Sequence, residues 1–220
     1  MINDVEKIRQ ALAGHNPLKN YRVRKRASVL IPLLESEGEI YLMLTRRSKE
    51  MRSHPGQVSF PGGKQDSDDE GSMQTALRET HEEIGLRAEK VDVIGRLDQI
   101  LSLHYFLVTP YVGIIPSDFE PVPNFDEIES VFKVPLTFFM KSENHWSEEK
   151  KTFASSFLVH HFEFKEYDIW GLTAKLIFRL LEVGLGYVPD FPVHHPSSPT
   201  WMERALNYVG ERNYDSNQNS

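Results

Sequence analysis

Residues 60–86 constrain the fold of this chain more than any other stretch of its sequence. An apolar run ends in Gly62 and Gly63, and an acidic loop then leads into a segment whose apolar residues recur every three or four positions. This period is typical of a helix with one buried face. Ser72 has a side chain suited to cap the first turn of that helix, and Gly85 can adopt the left-handed conformation that often ends one. The stretch therefore predicts a loop followed by an amphipathic helix.

Three glutamates project from one side of this predicted helix. Glu79, Glu82 and Glu83 are three or four residues apart, so their side chains share a face. Like charges at this spacing destabilise a helix by about 0.2–0.5 kcal/mol per pair, and the helix dipole disfavours negative charge near its C-terminal end. A bound cation would compensate, and carboxylates without Cys or His favour Mg²⁺ or Mn²⁺ over zinc. The alternative is a solvated acidic face, partly neutralised by Arg78.

The residues around these glutamates resemble the signature of the Nudix hydrolases, G-x5-E-x7-R-E-U-x-E-E-x-G-U, in which U is apolar. The matching residues are Glu70, Arg78, Glu79, Glu82, Glu83, Gly85 and Leu86. The chain departs from the signature twice. Six residues instead of five separate Gly63 from Glu70, and Thr80 replaces an apolar residue. The extra residue falls in a loop, where changes of length are tolerated.

A second signature lies in residues 43–63, just before the first. Four basic residues against one acidic residue give this segment a positive charge, and the fork of an Arg side chain matches phosphate oxygens in pairs. On charge alone, a solvent-exposed loop rim is the alternative. The spacing resembles the motif L-(L/M)-T-x-R-(S/A)-x3-R-x3-G-x3-F-P-G-G of the coenzyme A diphosphatase branch of the Nudix family. The matching residues are Thr45, Arg47, Ser48, Arg52, Gly56, Phe60, Pro61, Gly62 and Gly63, and only the opening pair departs.

The two resemblances imply a fold and an activity. The fold is α/β, an α/β/α sandwich of a mixed sheet with a catalytic loop and helix. The activity is Mg²⁺- or Mn²⁺-dependent cleavage of the diphosphate bridge of coenzyme A or acyl-CoA, which gives adenosine 3',5'-bisphosphate and (acyl-)4'-phosphopantetheine. A Nudix hydrolase for another nucleoside diphosphate derivative, such as NADH or ADP-ribose, is one alternative. A non-catalytic, Nudix-like binding module is another.

The resemblance also implies roles for individual residues. Glu79 and Glu83 are the first metal ligands, and Glu82 shares a metal or positions a water. Arg78 orients the glutamates by charge-assisted hydrogen bonds, and Glu70 is an outer or capping carboxylate. The expected substrate-binding residues are Arg47, Arg52, Gly62 and Gly63, with bracing of the loop as the alternative role of Arg52. Nudix proteins often bring a further carboxylate from a later acidic loop, for which Glu127 and Glu129 are the candidates.

The rest of the chain predicts alternating strands and helices. Apolar or alternating runs predict strands at 27–34, 40–44, 91–97, 105–115, 131–134 and 157–167. Helices are expected at 5–12, at 174–183 with Thr173 as N-cap, and at 201–209. Pro110 indicates an edge strand or a bulge. His160 and His161 are adjacent in a predicted strand and so face opposite sides, which favours structural roles over a shared metal.

The composition limits the possible partners. The formal charge of −7 argues against general nucleic-acid affinity, which needs a basic surface. The absence of cysteine excludes disulfides, cysteine zinc sites and a thiol nucleophile. No apolar run approaches the roughly 20 residues that span a membrane. We therefore expect a small-molecule substrate, no nucleic acid and no membrane insertion, and the sequence leaves the oligomeric state open.

Domain organisation and location follow from the same survey. We expect an N-terminal helix and linker at 1–24, a Nudix hydrolase domain at 25–185, and a helical appendage with a frayed tail at 186–220. The first residues lack the features of secretory and mitochondrial leaders, and the last three differ from the peroxisomal S-K-L. The expected location is cytoplasmic by default. The family resemblance alone makes a peroxisomal or mitochondrial location an alternative.

Overall fold

The structure is a computed structural model that describes residues 4–17, 23–151 and 156–189 of the chain. Within these residues the helices are α1 (Asp4–Gly14), α2 (Ser72–Ile84) and α3 (Gly171–Leu185). The strands are β1 (Arg26–Ser36), β2 (Glu39–Arg47), β3 (Val58–Ser59), β4 (Gly62–Lys64), β5 (Asp92–Arg96), β6 (Ile100–Leu101), β7 (Leu107–Ile114), β8 (Ile128–Pro135), β9 (His145–Lys151), β10 (Ser156–Phe164) and β11 (Tyr167–Trp170). Short 3₁₀ helices span Ala88–Lys90, Leu136–Met140 and Ser142–Asn144.

A mixed sheet forms the centre of the fold. Its strand order is β3-β2-β1-β7-β5, with β4 beside β1, β6 beside β7 and β8 beside β2. Strand β1 runs parallel to β7 and antiparallel to β2. Its side chains alternate, so Leu30 and Leu34 pack with α2, whereas Ile31 and Leu33 join the larger core that contains α1 and α3. Helices therefore cover both faces of the sheet, which confirms the predicted α/β/α sandwich.

Helix α2 ends as predicted but begins differently. Gly85 has φ 75° and donates its N–H to the carbonyl of His81, as expected of a left-handed helix end. At the other end the cap is Gly71, and the prediction of Ser72 as N-cap is wrong. The Ser72 hydroxyl instead shares a hydrogen bond of 2.7 Å with the Tyr111 hydroxyl on β7. The Ser72 hydroxyl therefore bonds to a residue of a neighbouring strand and does not cap the helix.

Two further predictions are corrected around the second sheet and the closing helix, and one strand lies where the sequence made no prediction. Residues 157–167 form parts of two strands, because the chain turns at Lys165 with φ 55°. Strand β9, from a segment whose polar sequence gave no strand signal, completes a three-stranded sheet in the order β11-β10-β9. Helix α3 begins at Gly171, so Thr173 is not its N-cap; the Thr173 hydroxyl donates to the Val58 carbonyl at 3.0 Å.

Pro110 lies inside the main sheet and not on an edge strand. Its strand β7 pairs with β1 on one side and with β5 and β6 on the other. The β5 pairing ends at Tyr111 and the β6 pairing begins at Val108, so Pro110 occupies the junction between two short partners. A residue without an N–H is tolerated there because no regular ladder bond is required on that side.

The two adjacent histidines of β10 are both buried. His160 contacts the His145 ring through a hydrogen bond of 2.9 Å, and His161 stacks on Trp146 with ring centroids 3.9 Å apart.

None of the described helices is both long and apolar enough to span a membrane. The helix expected at 201–209 and most of the 186–220 appendage lie outside the described residues, and the domain boundaries stay predictions.

Candidate active site

Glu83 lies at the centre of the site and is almost fully buried, with 2% of its surface exposed. Its Oε2 accepts the backbone N–H of Gly62 at 3.1 Å, and Nη1 of Arg47 lies 3.4 Å from its Oε1. Burial raises the pKa of Glu83 to about 8, although the Gly62 N–H and the charge of Arg47 oppose that shift. Negative charge on Glu79 and Glu127 raises the pKa further. A buried carboxyl group beside two other carboxylates favours a compensating cation.

Glu79 packs directly against the glycine pair. A Cβ atom placed on Gly63 would lie 2.3 Å from the Glu79 carboxylate carbon, so a larger residue there would displace that carboxylate. Burial raises the pKa of Glu79, Arg78 opposes the shift, and the charges of Glu82 and Glu127 add to it. The glycines expected to admit substrate phosphates thus also admit the carboxylates of α2.

Arg78 connects the glutamates to the acidic loop. Its Nε and Nη2 donate to the two carboxylate oxygens of Asp69 at 3.0 and 3.1 Å. Its Nη1 donates to Glu82 at 2.9 Å, and Nη2 also lies 3.0 Å from Glu79 and 3.2 Å from the carbonyl oxygen of Lys64. The hydrogen bonds from Arg78 hold the pKa of the Asp69 carboxyl well below its usual range. Arg78 therefore contacts both Glu79 and Glu82, and its orienting role stays a prediction.

Asp69 is the residue that the sequence interpretation missed. The structure places Asp69 against Arg78, whereas the Glu70 side chain is exposed and its backbone N–H bonds to the Gln74 side chain. The spacing held a partial signal, because five residues separate Gly63 from Asp69, as in the family signature, although eight and not seven separate Asp69 from Arg78. Glu70 keeps the residue type of the signature and its seven-residue spacing to Arg78, so the sequence alone favours Glu70.

The two arginines of the second signature are placed differently. A register shift between Arg46 and Arg47 interrupts the pairing of β2 with β8, and Arg47 is directed at Glu83. The Nε of Arg47 is buried without a hydrogen-bond partner in the described part of the chain, which leaves a donor for a ligand. Arg52 is exposed on the loop between β2 and β3, and the described contacts do not join it to the glutamates.

The later acidic loop is attached to the C-terminal end of α2. The N–H groups of Val122 and Asn124 donate to the carbonyls of Ile84 and Glu83, both at 2.9 Å. The Ser48 N–H donates to the Glu127 carbonyl at 2.7 Å. The two candidate carboxylates are thereby distinguished. Glu127 lies close enough to raise the pKa of Glu79 and Glu83, whereas Glu129 faces Arg46 at 3.5 Å.

The donor chemistry of the site fits a hard divalent cation. The carboxylates of Glu83 and Glu79 are buried and partly buried, that of Glu82 is exposed, and the three lie without Cys or His neighbours among the described contacts. In this arrangement the carboxylates of Glu79 and Glu82 contact Arg78, and no three acidic or imidazole side chains of the described residues converge on one point. The assignment of Glu79, Glu82 and Glu83 as metal ligands stays a prediction.

Comparisons with known proteins show the family to which the chain is similar. A family model described as NUDIX domain matches residues 24–155. The chain is 43% identical over 174 residues to "Nudix hydrolase 15, mitochondrial" of Arabidopsis thaliana, covering 76% of this chain and 61% of that protein. It is 38% identical over 177 residues to "Peroxisomal coenzyme A diphosphatase NUDT7" of Mus musculus, covering 76% of this chain and 75% of that protein.

Two further comparisons define how far the likeness extends. "Nudix hydrolase 22, chloroplastic" of Arabidopsis thaliana is 41% identical over 180 residues, covering 79% of this chain and 60% of that protein. The chain thus spans about three fifths of the length of both plant relatives. Among solved structures, a MutT/nudix family protein from Enterococcus faecalis aligns with a TM-score of 0.51 at 12% identity, covering 90% of this chain and 79% of that one. At this identity the likeness indicates the fold alone.

Proposed function

The chain belongs to the Nudix family, and on that premise we propose that it is a divalent-metal-dependent hydrolase of the diphosphate bridge in coenzyme A or acyl-CoA. The observation that carries the proposal is the meeting of the two sequence signatures in space. Arg47, from the coenzyme A diphosphatase signature, lies 3.4 Å from Glu83 of the Nudix signature, and Gly62 donates its N–H to the same carboxylate. The likeness to the mouse coenzyme A diphosphatase supports the same substrate.

Each residue has a task in this proposal. Glu79, Glu83 and Glu82 hold Mg²⁺ or Mn²⁺, which supplies charge neutralisation and a water of lowered pKa. Arg78 is held by Asp69 and in turn fixes the positions of Glu79 and Glu82. Arg47 presents a buried guanidinium donor to a bridging phosphate. Glu127, whose charge acts on both buried glutamates, is the further carboxylate available to accept the proton of the attacking water.

Turnover of a substrate panel tests the proposal. The purified protein is assayed with coenzyme A, an acyl-CoA, ADP-ribose and NADH, each with Mg²⁺, with Mn²⁺ and with EDTA. We expect the highest kcat/KM for coenzyme A or acyl-CoA, products that are adenosine 3',5'-bisphosphate and the phosphopantetheine, and no turnover in EDTA. A higher kcat/KM for ADP-ribose or NADH would favour the alternative Nudix substrates. Binding without turnover of any of the four would favour the non-catalytic module.

A pair of neighbouring arginines provides a matched test of phosphate binding. Arg47 reaches Glu83, whereas Arg46 faces Glu129 and the Tyr167 ring. We expect Arg47→Ala to raise the KM for coenzyme A about tenfold, the effect of losing one charge-assisted contact. Arg46→Ala serves as the control and should change KM less than threefold. Equal effects of the two substitutions would remove Arg47 from the phosphate site.

A further inference from the structure

Two lysines lie over one aromatic ring at the edge of the candidate site. The ammonium nitrogens of Lys25 and Lys64 are 5.6 and 5.8 Å from the centroid of the Phe106 ring. Both lysines are exposed, and the ring is partly buried. Within the described residues neither ammonium forms an ion pair with a carboxylate. Two cations that share one ring repel each other, and an anion bound between them would relieve that repulsion.

The backbone of three strands holds these residues together. The Leu107 N–H donates to the Lys25 carbonyl at 2.9 Å, and Lys64 on β4 pairs with Ala27 on β1. The Phe106 N–H is fixed in turn by the Ser102 hydroxyl at 3.1 Å. The basic run Arg24–Lys25–Arg26, which the proposed mechanism does not use, is thereby brought beside Lys64 in a chain of net charge −7.

Lys64 also connects this cluster to the carboxylates of α2. It follows Gly63, which packs against Glu79, and its own carbonyl accepts a hydrogen bond from Arg78. Consecutive residues of a strand point to opposite faces, so the Lys64 side chain leaves β4 on the side away from Glu79. Among the described strands β4 pairs with β1 alone, so a ligand can pass across its other edge.

We propose that Lys25 and Lys64, positioned by Phe106, bind the 3'-phosphomonoester on the ribose of the substrate. This inference rests on the proposed function, because that phosphate is the group that coenzyme A carries and ADP-ribose and NADH lack. A single ribose joins the 3'-phosphate to the bridge, so the two phosphate sites must be neighbours. Lys64 supports that arrangement, because it directly follows Gly63 on β4. The cluster would therefore select coenzyme A among nucleoside diphosphate derivatives.

Dephospho-coenzyme A separates this subsite from the rest of the substrate, since it differs from coenzyme A by the 3'-phosphate alone. We expect Lys25→Gln combined with Lys64→Gln to raise the KM for coenzyme A about tenfold or more, as befits two lost charge-assisted contacts. The kcat for coenzyme A and the KM for dephospho-coenzyme A should change less than twofold. Lys90→Gln combined with Lys141→Gln, at two exposed lysines outside the cluster, is the charge-matched control. Equal changes in KM for both substrates, or no change for either, would overturn the proposal.

Nucleotide binding without metal provides a test that does not depend on turnover. Calorimetry in EDTA compares adenosine 3',5'-bisphosphate with AMP for the unaltered protein and the double variant. We expect the unaltered protein to bind the bisphosphate about tenfold more tightly than AMP, and the double variant to lose that preference. If coenzyme A is not hydrolysed but this preference and its loss are observed, the subsite stands and the proposed function falls. If coenzyme A is hydrolysed but the preference survives in the variant, the subsite falls alone.

Discussion

At the scale of single residues, burial of Glu83 links the stability of the protein to pH. Its pKa of about 8 in the folded, metal-free chain exceeds the ordinary value of 4.5, because burial penalises the carboxylate. The folded state therefore holds this proton more tightly than the unfolded state. That contribution to stability is complete below pH 4.5 and is lost as the pH rises through 8.

We expect Glu83→Gln to remove this pH dependence. In EDTA, the free energy of unfolding of the unaltered protein should fall relative to that of the Gln variant between pH 5 and pH 8. The difference should reach a few kcal/mol, since one pKa unit corresponds to about 1.4 kcal/mol. Urea denaturation at several pH values measures it, with the exposed Glu120→Gln as control. Parallel pH profiles of Glu83→Gln and the unaltered protein would show that titration of Glu83 does not cause the dependence.

Asp69 offers a second test at the residue scale. Asp69→Asn removes the charge that holds Arg78, so Glu79 and Glu82 lose their common anchor. We expect kcat to fall at least tenfold and the free energy of unfolding to fall by about 1–3 kcal/mol, because Asp69 is buried while Arg78 is a quarter exposed. Glu70→Gln, next to it and exposed, should change kcat less than twofold. A larger effect of Glu70→Gln would show that Glu70, and not Asp69, is the acidic residue of this loop that supports the site.

At the scale of elements, the sequence predicted best what is decided locally. Helix α2 and its end at Gly85 follow from apolar period and from the special backbone of glycine. Ser72 and Thr173 were misassigned because each hydroxyl bonds to a neighbouring strand, and such contacts have no local signal. Strand β9 was missed because a polar strand on a small sheet lacks apolar alternation. The backbone of β9 pairs with that of β10, so the strand forms through its neighbour and not through an apolar pattern of its own.

The difference between local and long-range determinants also explains which parts of the candidate site the sequence predicted. The spacing of Glu79, Glu82 and Glu83 is fixed within one helix, so the sequence placed them on one face. The contributions of Asp69 and Glu127 depend on the direction in which two loops return to that helix. Loop direction is set by hydrogen bonds between distant residues, such as the one from Asn124 to Glu83, and spacing alone did not separate Glu127 from Glu129.

The contact between β4 and α2 gives a prediction at the element scale. Gly63→Ala would place a methyl group 2.3 Å from the Glu79 carboxylate, so that carboxylate must move away from β4 and from its contact with Arg78. We expect kcat to fall at least tenfold and the protein to lose about 1–3 kcal/mol of stability, as in other overpacked sites. Gly14→Ala is the control, because nothing lies within 4 Å of its added Cβ. Thermal denaturation and turnover of the two variants measure the difference, and similar values for both would refute the contact.

At the scale of the whole molecule, α2 is attached to a small core. Six buried residues, Leu30, Leu34, Met43, Ile84, Leu86 and Ile115, form the cluster beneath it, while the larger core lies on the other face of the sheet. The negative charge of the site therefore acts on the less extensively packed side of the fold. A cation that binds the folded state should stabilise the molecule by mass action.

We expect Mn²⁺ to raise the melting temperature of the unaltered protein in proportion to the logarithm of its concentration. At 100 times its dissociation constant, the ion should add about 2.7 kcal/mol. Glu79→Gln combined with Glu83→Gln should abolish the response, whereas Glu120→Gln should keep it. Differential scanning fluorimetry over a Mn²⁺ series measures both. An undiminished response in the double variant would place the ion elsewhere.

Residues 122–127 are attached to the end of α2, so the length of this loop determines where Glu127 lies relative to the helix. Two backbone hydrogen bonds tie Val122 and Asn124 to the helix, and a third ties Glu127 to Ser48. Adding or removing one amino acid between residues 122 and 127 would displace Glu127 relative to the glutamates of α2 and leave the helix itself unchanged. Natural or engineered length variation is consequently easier to accommodate at the hairpin Glu37–Gly38 than in this loop.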